Sequence, residues 1–330
     1  MRKGMVVGVV AILVIVAAGC RKDFDFDADG RADKIYVSAI SGDWYRLNPA
    51  PQPPTFLAAG NSAPAPGDYD GDGTWEPAGD RGSSWWSLTA GTLAYTRVPG
   101  TQMEVTMTQA DYDGDGKTDP AYYRQTDAMW FIMGRAPAQF GTTATHRSNS
   151  GNWGDEDYAV PADYDGDGKA DLATYNPRTA IWRTRSSRTG LDSSAVVGRI
   201  GAWPVPADYD GDGKVERASA GWDGTWVIEG QPSITFTVPA GDWWPAVADY
   251  DGDKRADISW VDFDVSGTNG PADWHIRSSQ SGTTTLDVIP ASPGSAWLMP
   301  AETDYDFPVQ TARFKAAVNC YYDPTTCHSV

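Results

Sequence analysis

One nine-residue phrase recurs six times along the chain, and its regularity constrains the fold more than any other feature. The copies are Asp25–Asp33, Asp68–Glu76, Asp111–Asp119, Asp163–Asp171, Asp208–Glu216 and Asp249–Asp257. Most read as D-Y-D-G-D-G-x-x-D/E, and they begin 43, 43, 52, 45 and 41 residues apart. A decayed seventh copy opens 55 residues later at Asp304, keeps Tyr305 and Asp306, and runs into Phe307 and Pro308. A period of this length means one supersecondary unit stacked on itself, because a single unit cannot bury its apolar face alone.

Each period carries the same parts. Trp44, Trp86, Trp130, Trp182, Trp226 and Trp274 fall 18 to 25 residues after the first Asp of their copies, within short runs such as Ile181–Arg185 and Thr225–Ile228. Those runs read as strands, as do Leu172–Tyr175 and the Pro- and Ala-bearing segments before the acidic phrases. Outside the extreme N-terminus no capped stretch has helical periodicity. Four short strands in about 45 residues make one blade of a β-propeller, so the fold expected is all-β, with a propeller over 20–304. Little chain precedes the first phrase, and the segment 297–303 resembles an inner strand with little following it. The two fit together as six blades, the C-terminal strand joining the N-terminal three. Seven blades, with a seventh from 311 to 319, is the alternative. Pairing of 297–303 with a strand in 34–40 distinguishes them.

The phrase has the chemistry of a metal loop. Carboxylates at positions 1, 3 and 5 of a tight turn converge, Gly at position 6 permits the bend, and an acid at position 9 closes the shell. The ligands predicted are Asp25, Asp27, Asp29 and Asp33; Asp68, Asp70, Asp72 and Glu76; Asp111, Asp113, Asp115 and Asp119; Asp163, Asp165, Asp167 and Asp171; Asp208, Asp210, Asp212 and Glu216; Asp249, Asp251, Asp253 and Asp257. Hard oxygen donors in that number select Ca²⁺, up to six ions in all. Two such carboxylates about 4 Å apart repel by on the order of 4 kcal/mol at an effective dielectric near 20, which makes the cation part of the fold. An EF-hand loop also opens D-x-D-x-D-G but needs an acid at position 12 and flanking helices. Position 12 is Tyr36, Gly79, Tyr122, Thr174, Ser219 or Trp260, so that reading fails in every copy. The loop at Asp249 carries Lys254 in place of Gly and is expected to bind weakest, since a side chain there opposes a positive φ. The copy at Asp304 lacks the third acid and the Gly and is expected to bind nothing.

With these residues in view, the chain resembles the FG-GAP and VCBS repeat proteins, the calcium-loop β-propellers that include the head of integrin α subunits. The resemblance spans about 25 to 310. It implies a ring of blades clipped by calcium and used outside cells for adhesion or for binding proteins or glycans. Such repeats also occur in polysaccharide lyases and lectins, so the resemblance leaves the activity open.

The N-terminus reads as an address, 1–19 being a signal segment. Arg2 and Lys3 precede an apolar run, and Ala17, Ala18 and Gly19 stand directly before Cys20. The apolar stretch is shorter than the roughly 20 residues a spanning helix needs. It resembles the bacterial lipoprotein signal, which implies lipidation of Cys20, although Ala17 stands where that family prefers Leu; an ordinary signal peptide with a stray cysteine is the alternative. Cys320 and Cys327 bracket a six-residue turn in the tail 305–330 and are expected to pair in an exported chain, leaving Cys20 for the acyl group. Export and anchoring to the cell envelope follow, at the outer membrane in a Gram-negative cell because Arg21 is not the Asp of an inner-membrane retention signal, and otherwise at the cell surface.

What the ring binds is less legible. The formal charge of −18 argues against nucleic acid as a partner, though 24 of the 44 acids sit in the six loops. The His residues, His146, His275 and His328, lack metal-ligand spacing, and neither H-E-x-x-H nor G-x-S-x-G is present. The expectation is a non-catalytic binding or adhesion module for an envelope protein, with a glycan-binding propeller second and a polysaccharide-acting enzyme a distant third. The repeated Trp suits packing between blades, with sugar stacking the alternative. Candidate ligand contacts are Trp153, in an insertion from 142 to 157 that is otherwise a plain surface loop, and Trp85 and Trp243. The last two stand beside a second Trp, which predicts that one ring of each pair keeps an exposed face.

Overall fold

The computed structural model describes residues 24–38, 43–47, 54–58, 63–80, 85–89, 92–96, 105–143, 157–238, 242–263, 272–289 and 298–300. Among them there is no helix, and the strands form six four-stranded antiparallel sheets, one per repeat. The fold is an all-β propeller of six blades. In blade four the strands run Tyr158–Ala159, Leu172–Asn176, Ile181–Arg185 and Asp192–Val196, paired in that order. Its acidic phrase joins the first strand to the second. Blades two, three, five and six follow the same plan.

Blade one closes the ring as the sequence suggests. Its strands Ile35–Ser38, Trp44–Arg46 and Thr55–Ala58 come from the N-terminal region, and its innermost strand is Leu298–Pro300. The register sets Tyr36 against Pro300, Val37 against Met299 and Ser38 against Leu298. This pairing of the two chain ends is the one expected for six blades and not seven. The seventh acidic copy and the segment from 311 to 319 lie outside the described residues.

Why such short strands hold together follows from where the aromatics go. The third strand of every blade carries the repeated Trp, and Trp44, Trp86, Trp130, Trp182, Trp226 and Trp274 are all buried. Each blade is covered on both faces by its neighbours, so both faces of a strand want apolar residues. Blade two shows this directly: Trp86 joins Trp44, Ile35 and Ala58 of blade one, whereas Trp85 joins Tyr122 and Phe131 of blade three. Two indoles also find polar partners, since the Trp130 and Trp182 Nε1 groups donate to the carbonyls of Phe140 and Val197 at 2.9 and 3.0 Å.

Candidate metal centres

Each acidic phrase folds on its own first residue. In the loop at Asp111, Oδ1 accepts the amide of Gly114 at 2.6 Å and Oδ2 accepts that of Gly116 at 2.9 Å. Asp113 and Asp115 accept the amides of Asp115 and Lys117. The closing acid Asp119 accepts the amide of Tyr112 at 3.0 Å, and its backbone bridges Ala110. The bond from position 2 to position 9 recurs in the other five loops at 2.7 to 3.1 Å. So does the bond from position 6 to position 1, at 2.8 to 2.9 Å. The Tyr at position 2 anchors the turn from below: its hydroxyl donates to the carbonyl three residues before the phrase, as Tyr209 does to Val205 at 2.6 Å. The first copy has Phe26 there and lacks that bond.

These turns bring the carboxylates together. Asp68, Asp70, Asp72 and Glu76 offer oxygens all within 4.8 Å of one another, as do Asp208, Asp210, Asp212 and Glu216. Three-residue groups form from Asp25, Asp27 and Asp29, from Asp111, Asp113 and Asp115, and from Asp163, Asp165 and Asp171. In both of these quartets the ninth residue is Glu, which reaches one methylene further than Asp. Such groups could hold a metal ion. Their electrostatics also ask for one. Burial, with the neighbouring loop carboxylates adding to it, pushes Glu76 up to about 8 and Glu216 up to about 7. Burial likewise raises Asp33, Asp119 and Asp257 to about 6.

The six loops are not independent. The amide at position 8 of each loop donates to the carbonyl of position 1 in the loop before it: Trp75 to Asp25, Thr118 to Asp68, Ala170 to Asp111, Val215 to Asp163, Ala256 to Asp208, and Ala32 to Asp249, at 2.6 to 2.9 Å. The last of these closes the circle. The seventh residue reinforces the link, since its stem lies over the fourth residue of the preceding loop. A Cβ added to Gly166 would meet Lys214 Cγ at 2.8 Å, and one on Gly252 would meet Arg31 Cγ at 3.1 Å.

Sequence reasoning missed three features here. The turn after the third strand covers two loops with paired serines. Ser186 and Ser187 donate hydroxyls to Asp165 at 2.6 Å and Asp167 at 3.0 Å, while the Ser187 amide reaches Asp171 at 2.6 Å. Ser278 and Ser279 repeat this on Asp251, Asp253 and Asp257 at 2.5, 2.8 and 2.7 Å. The signal was present as Arg-Ser-Ser at 185–187 and 277–279. Second, Arg46 pairs with Asp27 and Asp33, and Arg188 lies 3.4 Å from Asp165. Third, Lys254 takes the expected positive φ of 70°, but Ala28 in the first loop also has φ 63°.

Two ligand candidates are corrected. Trp85 is 2% exposed, enclosed by Tyr69 and Tyr122 with ring centroids at 6.2 and 5.3 Å, and Trp243 is 1% exposed. A doubled aromatic in a strand sandwiched between neighbours fills both interfaces, so neither ring faces solvent. Trp153, Cys20, Cys320 and Cys327 lie outside the described residues.

No known protein family matches the chain, and no curated protein does. Similar solved structures include a Tc holotoxin pore from Photorhabdus luminescens, at 14% identity and a TM-score of 0.49, covering 84% of this chain and 14% of that one. Another is a candidate 6-phosphogluconolactonase from Bacteroides fragilis, at 13% identity and a TM-score of 0.43, covering 80% of this chain and 97% of that one. The chain thus spans about 14% of the toxin chain's length. Neither likeness bears on activity.

Proposed function

We propose that the six loops are calcium sites and that the protein is a lipid-anchored, exported propeller of the FG-GAP and VCBS type. It acts as a non-catalytic module that binds an envelope protein or a glycan. The observation that carries the reading is the sixfold repetition of one carboxylate-gathering turn, tied into a closed ring. The positions 1, 3, 5 and 9 would supply the oxygens. Ca²⁺ suits them because an all-oxygen, carboxylate-rich set of flexible geometry matches a large hard cation. Bound cations would neutralise carboxylates that burial and mutual repulsion otherwise hold partly protonated near neutral pH.

Among the described residues, the buried acid outside the loops has a structural role. Asp157 is 0% exposed. It accepts from the Thr142 amide, Thr174, Asn176 and Arg183 at 2.8 to 3.2 Å, an arrangement that fixes the base of the 142 to 157 insertion. Such a fully engaged carboxylate suits anchoring better than proton transfer.

The test is calcium titration by calorimetry beside thermal melts with and without a chelator. Several equivalents of bound Ca²⁺ and a large fall in the melting temperature on chelation are expected. An unchanged melting temperature would overturn the reading. A glycan array and envelope-protein pull-down, each with Ca²⁺ and with chelator, separate the two partner classes.

A further inference from the structure

The plan of the blades sorts the connections among the described residues to one of two ends of the ring. The acidic loops join first strands to second strands, so they share one end with the turns between third and fourth strands, as the serine contacts from 186–187 to the Asp163 loop require. The turns between second and third strands, and the crossings from one blade to the next, lie at the other end.

The chain enters the ring at the metal-loop end. Phe24 is buried, its carbonyl accepts the Asp33 amide at 2.8 Å, and its ring lies 4.6 Å from Trp75 of the second loop. It also packs on Ala248, directly before the sixth loop. From Phe24 back to Cys20 is four residues, which span at most about 14 Å fully extended. The six-residue strand Ile258–Phe263 alone rises about 20 Å at roughly 3.3 Å per residue. A lipid on Cys20 therefore cannot reach around or through the ring to its far end.

Charge on the near end is consistent with that placement. Arg31, Lys117, Lys214, Lys254 and Arg255 are exposed there, set between loops whose cations would offset their carboxylates. Phosphate-bearing headgroups are attracted to basic side chains and to bound divalent cations within about a Debye length. The far end differs in character. Trp203 opens the first strand of blade five, Trp244 lies within that of blade six, and Trp222 occupies a second-to-third turn, with ring centroids 4.9 to 6.3 Å apart; Trp203 and Trp244 are buried and Trp222 is half-buried.

We propose that the metal-loop end is the face laid against the bilayer that carries the protein's own anchor. Its loop cations and basic side chains meet lipid phosphates, and the opposite end is turned outward. This rests on the anchor and calcium readings above.

The experiment uses the full, lipidated chain inserted from outside into phosphatidylethanolamine and phosphatidylglycerol vesicles with Ca²⁺. Arginines are modified with a soluble dicarbonyl reagent and quantified by mass spectrometry, with the Cys20→Ser chain in solution as reference. Arg31 and Arg255 mark the metal-loop end. Arg178, in a second-to-third turn, and Arg199, 48% exposed in a blade crossing, mark the far end. Modification of Arg31 and Arg255 should fall several-fold on vesicles while Arg178 and Arg199 stay unchanged. Equal modification at both ends, or protection of Arg178 and Arg199 instead, overturns the orientation while an acylated Cys20 peptide in the same spectra leaves the anchor standing. A Cys20 peptide without an acyl group overturns both.

Discussion

Lys254→Gly should stabilise the protein, and the size of the gain can be worked from the loop. Lys254 has φ 70° at the position where the other five loops carry Gly at 83 to 87°. An L-residue held in the left-handed region costs about 1–2 kcal/mol. Glycine removes that cost but loosens the unfolded chain, which gives back about 0.4–1 kcal/mol. Little else changes: the residue 254 amide already donates to Asp249 Oδ2 at 2.8 Å, as glycine does elsewhere, and the lysine side chain is exposed. The net is about 0.5–1 kcal/mol of stabilisation, or about 1–3 °C in melting temperature at saturating Ca²⁺. The reverse change, Gly213→Lys, should lose about 0.5–1 kcal/mol by the same arithmetic. Calorimetry should also show the weakest calcium site strengthened in Lys254→Gly. If that variant melts no higher than the parent while Gly213→Lys melts no lower, strain at the sixth position does not limit these loops.

Without divalent cations, stability should fall as pH rises. The folded-state values of Glu76 (about 8), Glu216 (about 7) and Asp33, Asp119 and Asp257 (about 6) lie above their ordinary ones. Their contribution is thus complete below about pH 4 and lost as pH climbs through 6 to 8; melts in chelator from pH 5 to 8.5 check this, and saturating Ca²⁺ should abolish the trend. Trp85→Ala should cost about 3–5 kcal/mol in a denaturant titration without altering saccharide binding per folded molecule. Replacing Ser186 and Ser187, or Ser278 and Ser279, with Ala should weaken one loop each, read as one terbium-binding phase of six shifting several-fold in affinity. Asp111→Asn should impair its own loop and, through the Ala170 bond, the next one, so hydrogen exchange at Ala170 should accelerate more than at Val215.

The ring, the blade number and the carboxylate-gathering loops were legible because each rests on local spacing. An acid at alternate positions followed by Gly folds one way wherever it occurs, and Leu298–Pro300 was recognisable as the strand that blade one lacked. Trp85 and Trp243 misled because a doubled aromatic in an ordinary sheet exposes one ring, whereas a blade has a neighbour on each face, a fact of tertiary structure. The serine cover was hidden for a related reason: Ser186 lies 21 residues from Asp165. Only the antiparallel return of the third strand brings it over the loop. Ala28 escaped notice because the fourth position carries no acid, although its φ of 63° makes it as demanding as the sixth.

The first Asp of each phrase does two jobs with different atoms, and this ties metal binding to ring closure. Its side chain gathers the loop's own amides and faces the other carboxylates, while its carbonyl holds the next loop through position 8. Each such bond is worth only about 1 kcal/mol net. In series around a closed circle, however, no loop can relax without disturbing the acceptor its neighbour uses. On the proposed calcium reading, a cation that fixed one first Asp would therefore steady the acceptor that its neighbour uses. Blade one is where the chain ends meet, through three residue pairs between Ile35–Ser38 and Leu298–Pro300, and there Ala32 and Trp75 bond on either side. The circle of six loops thus ties the N-terminal loop to the sixth blade, beside the Phe24 contact with Ala248 and the Lys34–Asp287 ion pair.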